Sequence, residues 1–257
     1  MPSKALKSKL LKRKKEIKER SEGRPYQTFK DGETIRGRVC RTKDPDAEFG
    51  VEVTTFWLGP DNGGLVISPS SLGMKCPFME YHTKNKGSKD SVKKEIAEKL
   101  APKKRYLVPH IIYSDEKGKK PDTDKSPRLF LLTPGQYQAL IDMFLEDEKG
   151  DFTDPKTGYD IKYSRTGKGK TDTEYTTMDC KPSPVPIKYK NLTVDPEAMV
   201  KEILSTYDEL EELLNQFIGN YDGDEEEEED EPRRPAKKSS KKKLGKKKIK
   251  VRKGDDA

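Results

Sequence analysis

The feature that most constrains the fold is a hairpin pattern in residues 154–178. Two runs, 159–165 and 173–178, alternate bulky and polar residues with period two and are rich in β-forming residues. The residues between them, 166–172, include two glycines and two lysines. The glycines supply the positive φ of a turn, and the lysines keep the tip in water. The pattern therefore predicts two antiparallel strands joined by a basic tip.

This hairpin has two possible uses. Ile161, Tyr163 and Arg165 share one face of the predicted ribbon. Tyrosine rings can stack on bases and cations can follow phosphates, so the ribbon suits a single nucleic-acid strand. The alternative is a solvated hairpin whose tyrosines pack on a core, since most hairpin lysines serve only solvation. The hairpin alone leaves both interpretations open.

Charge is distributed unevenly along the 257 residues, which carry a net charge of +7. Residues 1–20 have a net charge of +7, residues 233–253 of +13 and residues 222–231 of −9, which leaves −2 for residues 21–221. Attraction to a polyanion would therefore come mainly from the terminal arms, and a nucleic-acid site in the core must be a local groove. With 30% hydrophobic and 39% charged residues, we expect one modest core and disordered charged tails.

Cysteine usage and hydropathy predict a soluble intracellular protein. The three cysteines are widely spaced, which is typical of reduced thiols. The basic N-terminus is not followed by the apolar stretch of a signal peptide. No segment approaches the roughly 20 apolar residues of a membrane span.

The remaining patterns predict a mainly β fold with added helices, an α+β arrangement built on a small OB-fold-like barrel. Strand patterns occupy residues 26–40, 48–58, 65–67, 106–113 and 128–132. Pro109 within one of them favours an edge position or a bulge. Residues 68–81 are expected to form a compact loop, and helices are expected at 4–20, within 83–100, at 134–145 and at 196–218.

Four regions follow from these patterns. We expect residues 1–22 to form a basic helical arm and residues 23–190 to form the OB-fold-like core. We expect residues 191–220 to form a C-terminal helix and residues 221–257 to form a disordered tail that is first acidic and then basic.

Several short motifs, none decisive alone, occur in a fixed order along residues 5–190. They are ERS at 19–21, KDGE at 30–33, FWLG at 56–59, GMKCPFMEY at 73–81, KKRYLV at 103–108, LLTP at 131–134, GDFTDP at 150–155, GYDI at 158–161 and SRTG at 164–167. In order and spacing they resemble the T-even-phage type of single-stranded DNA-binding, helix-destabilising protein of tailed bacteriophages.

The resemblance implies an OB-fold core that holds single-stranded DNA without sequence preference during viral DNA replication, recombination and repair. It also implies self-association along the strand through the basic N-terminal arm, and an acidic C-terminal segment that contacts replication proteins and competes with DNA. The expected location is the cytoplasm of the infected host cell.

Cations and aromatic residues near these motifs are the expected DNA contacts, although each aromatic residue has core packing as its alternative. They are Lys103, Lys104, Arg105, Tyr106, Tyr163, Arg165, Lys168, Lys170 and Tyr175, followed by Arg36, Arg38 and Trp57.

The sequence differs from the resembled family at the positions of its zinc ligands. The best-known form of the family binds zinc through one histidine and three cysteines, but aligning the motifs leaves only Cys76 here. Zinc requires four nitrogen or sulfur ligands, and Cys76 with His82 would supply two. We predict that no zinc or other cofactor binds and that Phe56, Trp57 and Met79 fill the vacated space as apolar packing.

The C-terminal tail also differs from that of the resembled family, because thirteen basic residues follow the acidic block. We hypothesise an autoinhibitory acidic segment with a basic anchor behind it.

No catalytic arrangement is evident: His82 and His110 lie in separate segments, and residues 167–171 lack Walker spacing. The alternative to a single-stranded DNA-binding protein is a non-enzymatic RNA-binding or scaffold protein that uses its charged tails and C-terminal helix.

Overall fold

The computed structural model describes residues 26–59, 64–113, 127–146, 150–167 and 172–222. The predictions for the helix at 4–20, for Lys168 and Lys170 and for the tail from residue 223 lie outside these ranges. The strands are β1 (Tyr26–Gln27), β2 (Thr34–Val39), β3 (Arg41–Thr42), β4 (Val51–Trp57), β5 (Leu65–Ser68), β6 (Lys103–Ile112), β7 (Arg128–Leu132), β8 (Tyr159–Thr166), β9 (Glu174–Pro182) and β10 (Thr193–Val194). The helices are α1 (Pro77–Asn85), α2 (Ser91–Lys99), α3 (Pro134–Leu145), α4 (Pro196–Glu202) and α5 (Tyr207–Asp222), with short 3-10 helices at Pro69–Leu72 and Ile187–Tyr189.

Eight of the strands form one sheet in the order β1-β7-β6-β2-β8-β9, with β4 paired to β6 and β5 paired to β4. All these pairs are antiparallel except β1 with β7, and β3 pairs with β10 in a separate parallel ribbon. The prediction of a mainly β fold with added helices is confirmed. The predicted barrel closure is wrong, because the pairing of the described strands does not return to its starting edge.

Strand β6 is central, so the edge position expected for Pro109 is wrong, and an irregularity in the strand is the alternative that remains. One edge of β6 pairs with β7, while the other pairs first with β4 and then with β2. The change of partner from β4 to β2 occurs near Pro109. The carbonyl oxygen of Pro109 accepts a hydrogen bond of 2.9 Å from the Cys40 amide. The nitrogen of Pro109 therefore faces an interruption in the ladder, where a missing N–H is tolerated.

The two faces of the sheet are covered by different parts of the chain. On the inner face, which carries Ile35, Val108 and Tyr163, α3 packs over a cluster that also contains Phe29 and Phe152. On the outer face, α4 packs through Val200 against β4, β6 and β7. Segment 185–194 packs beside α4 on the same face.

Local capping places some helices where the sequence predicts them. Helix α3 has the predicted bounds because Thr133 and Gln136 form a capping box before Pro134. Helix α1 replaces part of the loop predicted at 68–81. It begins at Pro77, and a proline in the first turn is a helix-start feature that this prediction missed.

The single helix predicted at 196–218 is wrong. Two helices occupy this range, and α5 begins after a second capping box. The Thr206 amide donates to the Glu209 carboxylate at 2.9 Å, and the Glu209 amide donates to the Thr206 hydroxyl at 3.4 Å. Apolar residues of α4 pack on the outer sheet face, whereas Leu210, Leu214 and Phe217 of α5 pack on α1 and α2.

Candidate nucleic-acid interface

The four residues at the start of β6, which the sequence groups together, lie on two faces of the sheet. Lys103 is opposite Thr55 and Arg105 is opposite Val53, so both share the outer face with Trp57. Lys104 and Tyr106 point to the inner face, opposite Thr54 and Glu52. One groove cannot use all four residues equally, because successive side chains of a strand point to opposite faces.

The outer group combines an exposed ring with cations. Trp57 is 49% exposed at the end of β4, Lys103 is exposed and Arg105 is half-buried. The prediction that Trp57 fills a vacated metal site is therefore wrong. An exposed indole on the same sheet face as two cations offers a surface on which a base can stack while its phosphates meet positive charge.

The inner group is built around two stacked tyrosines. The ring centroids of Tyr106 and Tyr137 are 4.0 Å apart and their planes differ by 6°. The Tyr106 hydroxyl donates to the Glu52 carboxylate at 2.9 Å, and the Lys104 ammonium lies 2.9 Å from the same carboxylate. The hydroxyl of Tyr137 donates to Glu48 at 3.2 Å.

The carboxylates of the inner group weaken it as a phosphate site. Hydrogen bonds from Lys104 and Tyr106 lower the pKa of Glu52, and the Glu52 carboxylate raises the pKa of Lys104. Both groups therefore stay charged at neutral pH, and the positive charge of Lys104 is balanced locally. The outer group has the more favourable electrostatics for a polyanion.

Tyr163 is not a ligand contact, and this prediction is wrong. The residue is fully buried, and its hydroxyl lies 2.7 Å from Nε2 of His110. Its ring packs against Phe29 and Phe130. Period-two alternation placed Tyr163 on a face correctly, but that face is the one that the core covers.

Arg38 is also a structural residue, so its predicted contact is wrong. Its side chain is 1% exposed and donates to Asp160 at 2.8 Å and to the Ser183 carbonyl at 2.7 Å. Arg36 binds the same carboxylate at 2.6 Å, and its side chain is 14% exposed. The Asp160 carboxylate thus holds both guanidinium groups, and Arg36 alone reaches the surface.

The hairpin pairs Arg165 directly with Tyr175 across β8 and β9. The guanidinium carbon of Arg165 lies 5.9 Å from the ring centroid of Tyr175, and the group also donates to the Phe29 carbonyl at 2.9 Å. Tyr175 is 40% exposed and is available for stacking. Lys168 and Lys170, at the tip, lie outside the described residues.

The outer face of the β2-β8-β9 region has a hollow that the sequence predictions missed, and we call it the outer hollow. Its volume is about 500 Å³. The residues that line it are Arg36, Lys162, Met178, Asp179, Cys180, Lys181, Pro182 and Ser183. Met178 is 47% exposed, so the hollow combines apolar surface with three cations and the single carboxylate of Asp179. Alternation along β8 could have indicated Lys162, which lies opposite Arg36.

The region where the resembled family binds zinc is packed with apolar side chains. Phe56 stacks on Phe78 with centroids 5.3 Å apart, and buried Cys76 and partly buried Met79 belong to the same cluster. The His82 Nδ1 atom lies 2.8 Å from the Ala97 carbonyl oxygen. Among the described residues no three His, Cys, Asp or Glu side chains are grouped to hold a metal. The absence of zinc stays a prediction, and stoichiometric zinc in the purified protein would contradict it.

In comparisons with known proteins, no protein-family model and no curated protein matches the chain. Within the parts of the chain that the structure describes, none of the helices has the length and apolar character needed to cross a membrane.

Proposed function

We propose that this protein binds single-stranded DNA without sequence preference and coats it during viral DNA replication, recombination and repair. The observation that carries the proposal is the outer group, in which the exposed ring of Trp57 shares one face of the sheet with Lys103 and Arg105. The outer hollow adds further cations to the same face. The resemblance to the phage proteins supports the same function, and the cytoplasm of an infected cell is the location that it implies.

The preference for a single strand follows from what exposed rings can reach. Bases of a single strand present their faces, whereas bases in a duplex are stacked on each other. Each stacked base contributes roughly 1–3 kcal/mol. Because residues 21–221 have a net charge of only −2, binding by this part of the chain depends on local cations rather than on a generally basic surface.

The terminal segments have proposed roles that lie outside the described residues. The basic N-terminal arm would join neighbouring copies along the strand, which makes coating cooperative. The acidic block would contact replication proteins and compete with DNA, and the basic tail behind it would anchor it. We propose no catalytic role for the protein.

The test is a fluorescence titration of the full chain with oligo(dT), duplex DNA and RNA of equal length at two salt concentrations. Trp57 is the only tryptophan, so quenching of its emission reports on the outer group directly. We expect quenching and tight binding with oligo(dT) and much weaker binding to the duplex. Equal binding to all three that collapses with salt would contradict the proposal and assign binding to the lysine-rich arms. Preference for RNA would favour the RNA-binding alternative.

A further inference from the structure

A second concavity lies on the outer face of the sheet, next to β3 and β10, and we call it the outer cavity. Its volume is about 270 Å³. The floor contains the apolar side chains of Ile111 and Val185, the Cys40 thiol and the ring of Tyr189, which form one buried cluster. This volume is just below the roughly 300 Å³ at which pockets for drug-sized ligands start, so the cavity limits a ligand to about the size of one nucleotide.

The hydroxyl of Tyr189 indicates that the cavity is incomplete without a ligand. Tyr189 is 6% exposed, and its buried hydroxyl has no hydrogen-bond partner in the described part of the chain. Buried hydroxyl groups in folded proteins nearly always have a partner, because desolvation without one is unfavourable. A ligand with a polar edge, bound against the apolar floor, would supply that partner.

The rim of the cavity selects for negative charge. Exposed Arg41 and Lys190 line it, and none of the described lining residues is acidic. Asp154 lies between the lining residues Thr153 and Pro155 in sequence but does not line the cavity itself. Its pKa is lowered mainly by backbone N–H groups of Thr157 and Lys156 and least by Arg41. Neither rim cation forms an ion pair with a described residue, so both can reach a phosphate.

The outer cavity lies next to the outer hollow. Arg38 lines the cavity and donates to the carbonyl of Ser183, which lines the hollow, so these two residues form a wall between them. A strand that crossed this wall would pass next to Arg36, Lys162 and Lys181. These neighbouring cations favour a nucleotide within a strand over an unrelated small anion.

We propose that the outer cavity binds one nucleotide unit, with the base against Tyr189 and the phosphate between Arg41 and Lys190. The proposal rests on the proposed single-stranded DNA function and gives it a defined base-binding subsite. Asn191, which also lines the cavity, carries a side-chain amide that can hydrogen-bond to a base edge, whereas the Thr153 hydroxyl already donates to the Asp151 carboxylate at 2.6 Å.

The experiment titrates the full chain with the mononucleotide dTMP and, separately, with oligo(dT). The variants are Tyr189→Phe and the double variant Arg41→Gln/Lys190→Gln. The matched control is Lys43→Gln, which removes an exposed cation two residues from Arg41 that does not line the cavity. Thermal unfolding of each variant confirms that it folds.

We expect saturable dTMP binding that weakens about tenfold or more in the double variant, because two charge-assisted contacts to the phosphate are lost. Tyr189→Phe should weaken dTMP binding severalfold, and Lys43→Gln should bind as the unaltered chain does. Absence of saturable dTMP binding, or equal binding by the double variant, would overturn the subsite. The oligo(dT) titration tests the proposed function separately. If the chain binds oligo(dT) tightly but does not bind dTMP, the single-stranded DNA function stands and only the nucleotide subsite is overturned.

Discussion

The Nε2 atom of His110 lies 2.7 Å from the hydroxyl oxygen of Tyr163, and this contact ties β6 to β8 inside the core. The other ring nitrogen of His110 lies 2.9 Å from the Val108 carbonyl oxygen, so Nδ1 carries the proton and donates it there. Nε2 therefore accepts a hydrogen bond from Tyr163. The His110 ring also stacks on Phe130 with centroids 4.2 Å apart. One of the three tyrosines that the sequence favours for DNA contact is thus a structural residue.

Replacing Tyr163 should affect stability and not DNA affinity. Tyr163→Phe leaves the buried Nε2 of His110 without its donor, which should lower the free energy of unfolding by about 1–3 kcal/mol. Urea unfolding measures this loss, and titration with labelled oligo(dT) under folded conditions should show unchanged affinity. Tyr175→Phe, at an exposed ring, is the stability control. Loss of affinity at unchanged stability would contradict the structural role.

Burial of His110 should make stability depend on pH. Desolvation lowers the pKa of His110 to about 3, whereas a histidine in an unfolded chain has a pKa of about 6.5. The unfolded state therefore binds more protons between these values, so this residue's contribution is fully favourable above about pH 7 and is lost as the pH falls through 6.5.

The slope of this loss reaches about 1.4 kcal/mol per pH unit well below 6.5. Urea unfolding at a series of pH values between neutral and mildly acidic measures it. His110→Gln should be less stable but should show a flatter pH dependence than the unaltered chain. An identical slope in the two chains would rule out His110 as its source.

Removing the indole of Trp57 should weaken DNA binding with little effect on folding. Trp57→Ala should lower the affinity for oligo(dT) about tenfold, since a stacked base contributes roughly 1–3 kcal/mol. The anisotropy of a labelled oligonucleotide provides the measurement, because the variant has no tryptophan emission. Met74→Ala removes a side chain that is 45% exposed in the loop before α1 and serves as the control. If Trp57→Ala and Met74→Ala bind equally well, Trp57 does not stack on DNA.

Replacing two cations of the outer face should affect different properties, stability for Arg38 and DNA binding for Lys162. Arg38→Gln breaks a buried pair and leaves Asp160 partly uncompensated, so it should lower the free energy of unfolding by about 3–5 kcal/mol. Lys162→Gln should leave stability unchanged and reduce the magnitude of the salt slope of single-strand binding by about 0.7, the value for one phosphate contact. Unfolding curves and oligo(dT) titrations at several salt concentrations test both. A salt slope unaffected by Lys162→Gln would remove the outer hollow from the DNA path.

The charged tail gives a further test that needs no structural detail. Deleting residues 222–257 should raise the affinity for oligo(dT), because the acidic block that competes with DNA is removed. Deleting only the basic part, residues 233–257, should weaken binding, because it removes thirteen cations that can reach phosphates and leaves the acidic block in place. Unchanged affinity and salt slope in both deletions would contradict the autoinhibition hypothesis.

The local patterns in the sequence were sufficient to define the secondary structure where a cap or a turn has its own chemistry. Thr133 and Pro134 define the start of α3 through a hydrogen bond and a fixed φ that need no distant partner. The β8–β9 hairpin follows from alternation and a glycine-containing turn, and Gly167 has the positive φ of 92° that favours glycine. These features depend on neighbours in sequence.

The tertiary structure decided which face of each strand is covered and where each helix packs. Alternation places Tyr163 and Arg165 on one face, but only α3 and the Phe29 loop, distant in sequence, make that face the core. The apolar spacing of residues 196–218 is the same for one helix or two, and the division arises because α4 and α5 pack on different clusters. By itself, the sequence determined the local elements and the residues that share a face. The fold decided which of those residues meet solvent, because burial depends on contacts between segments far apart in the chain.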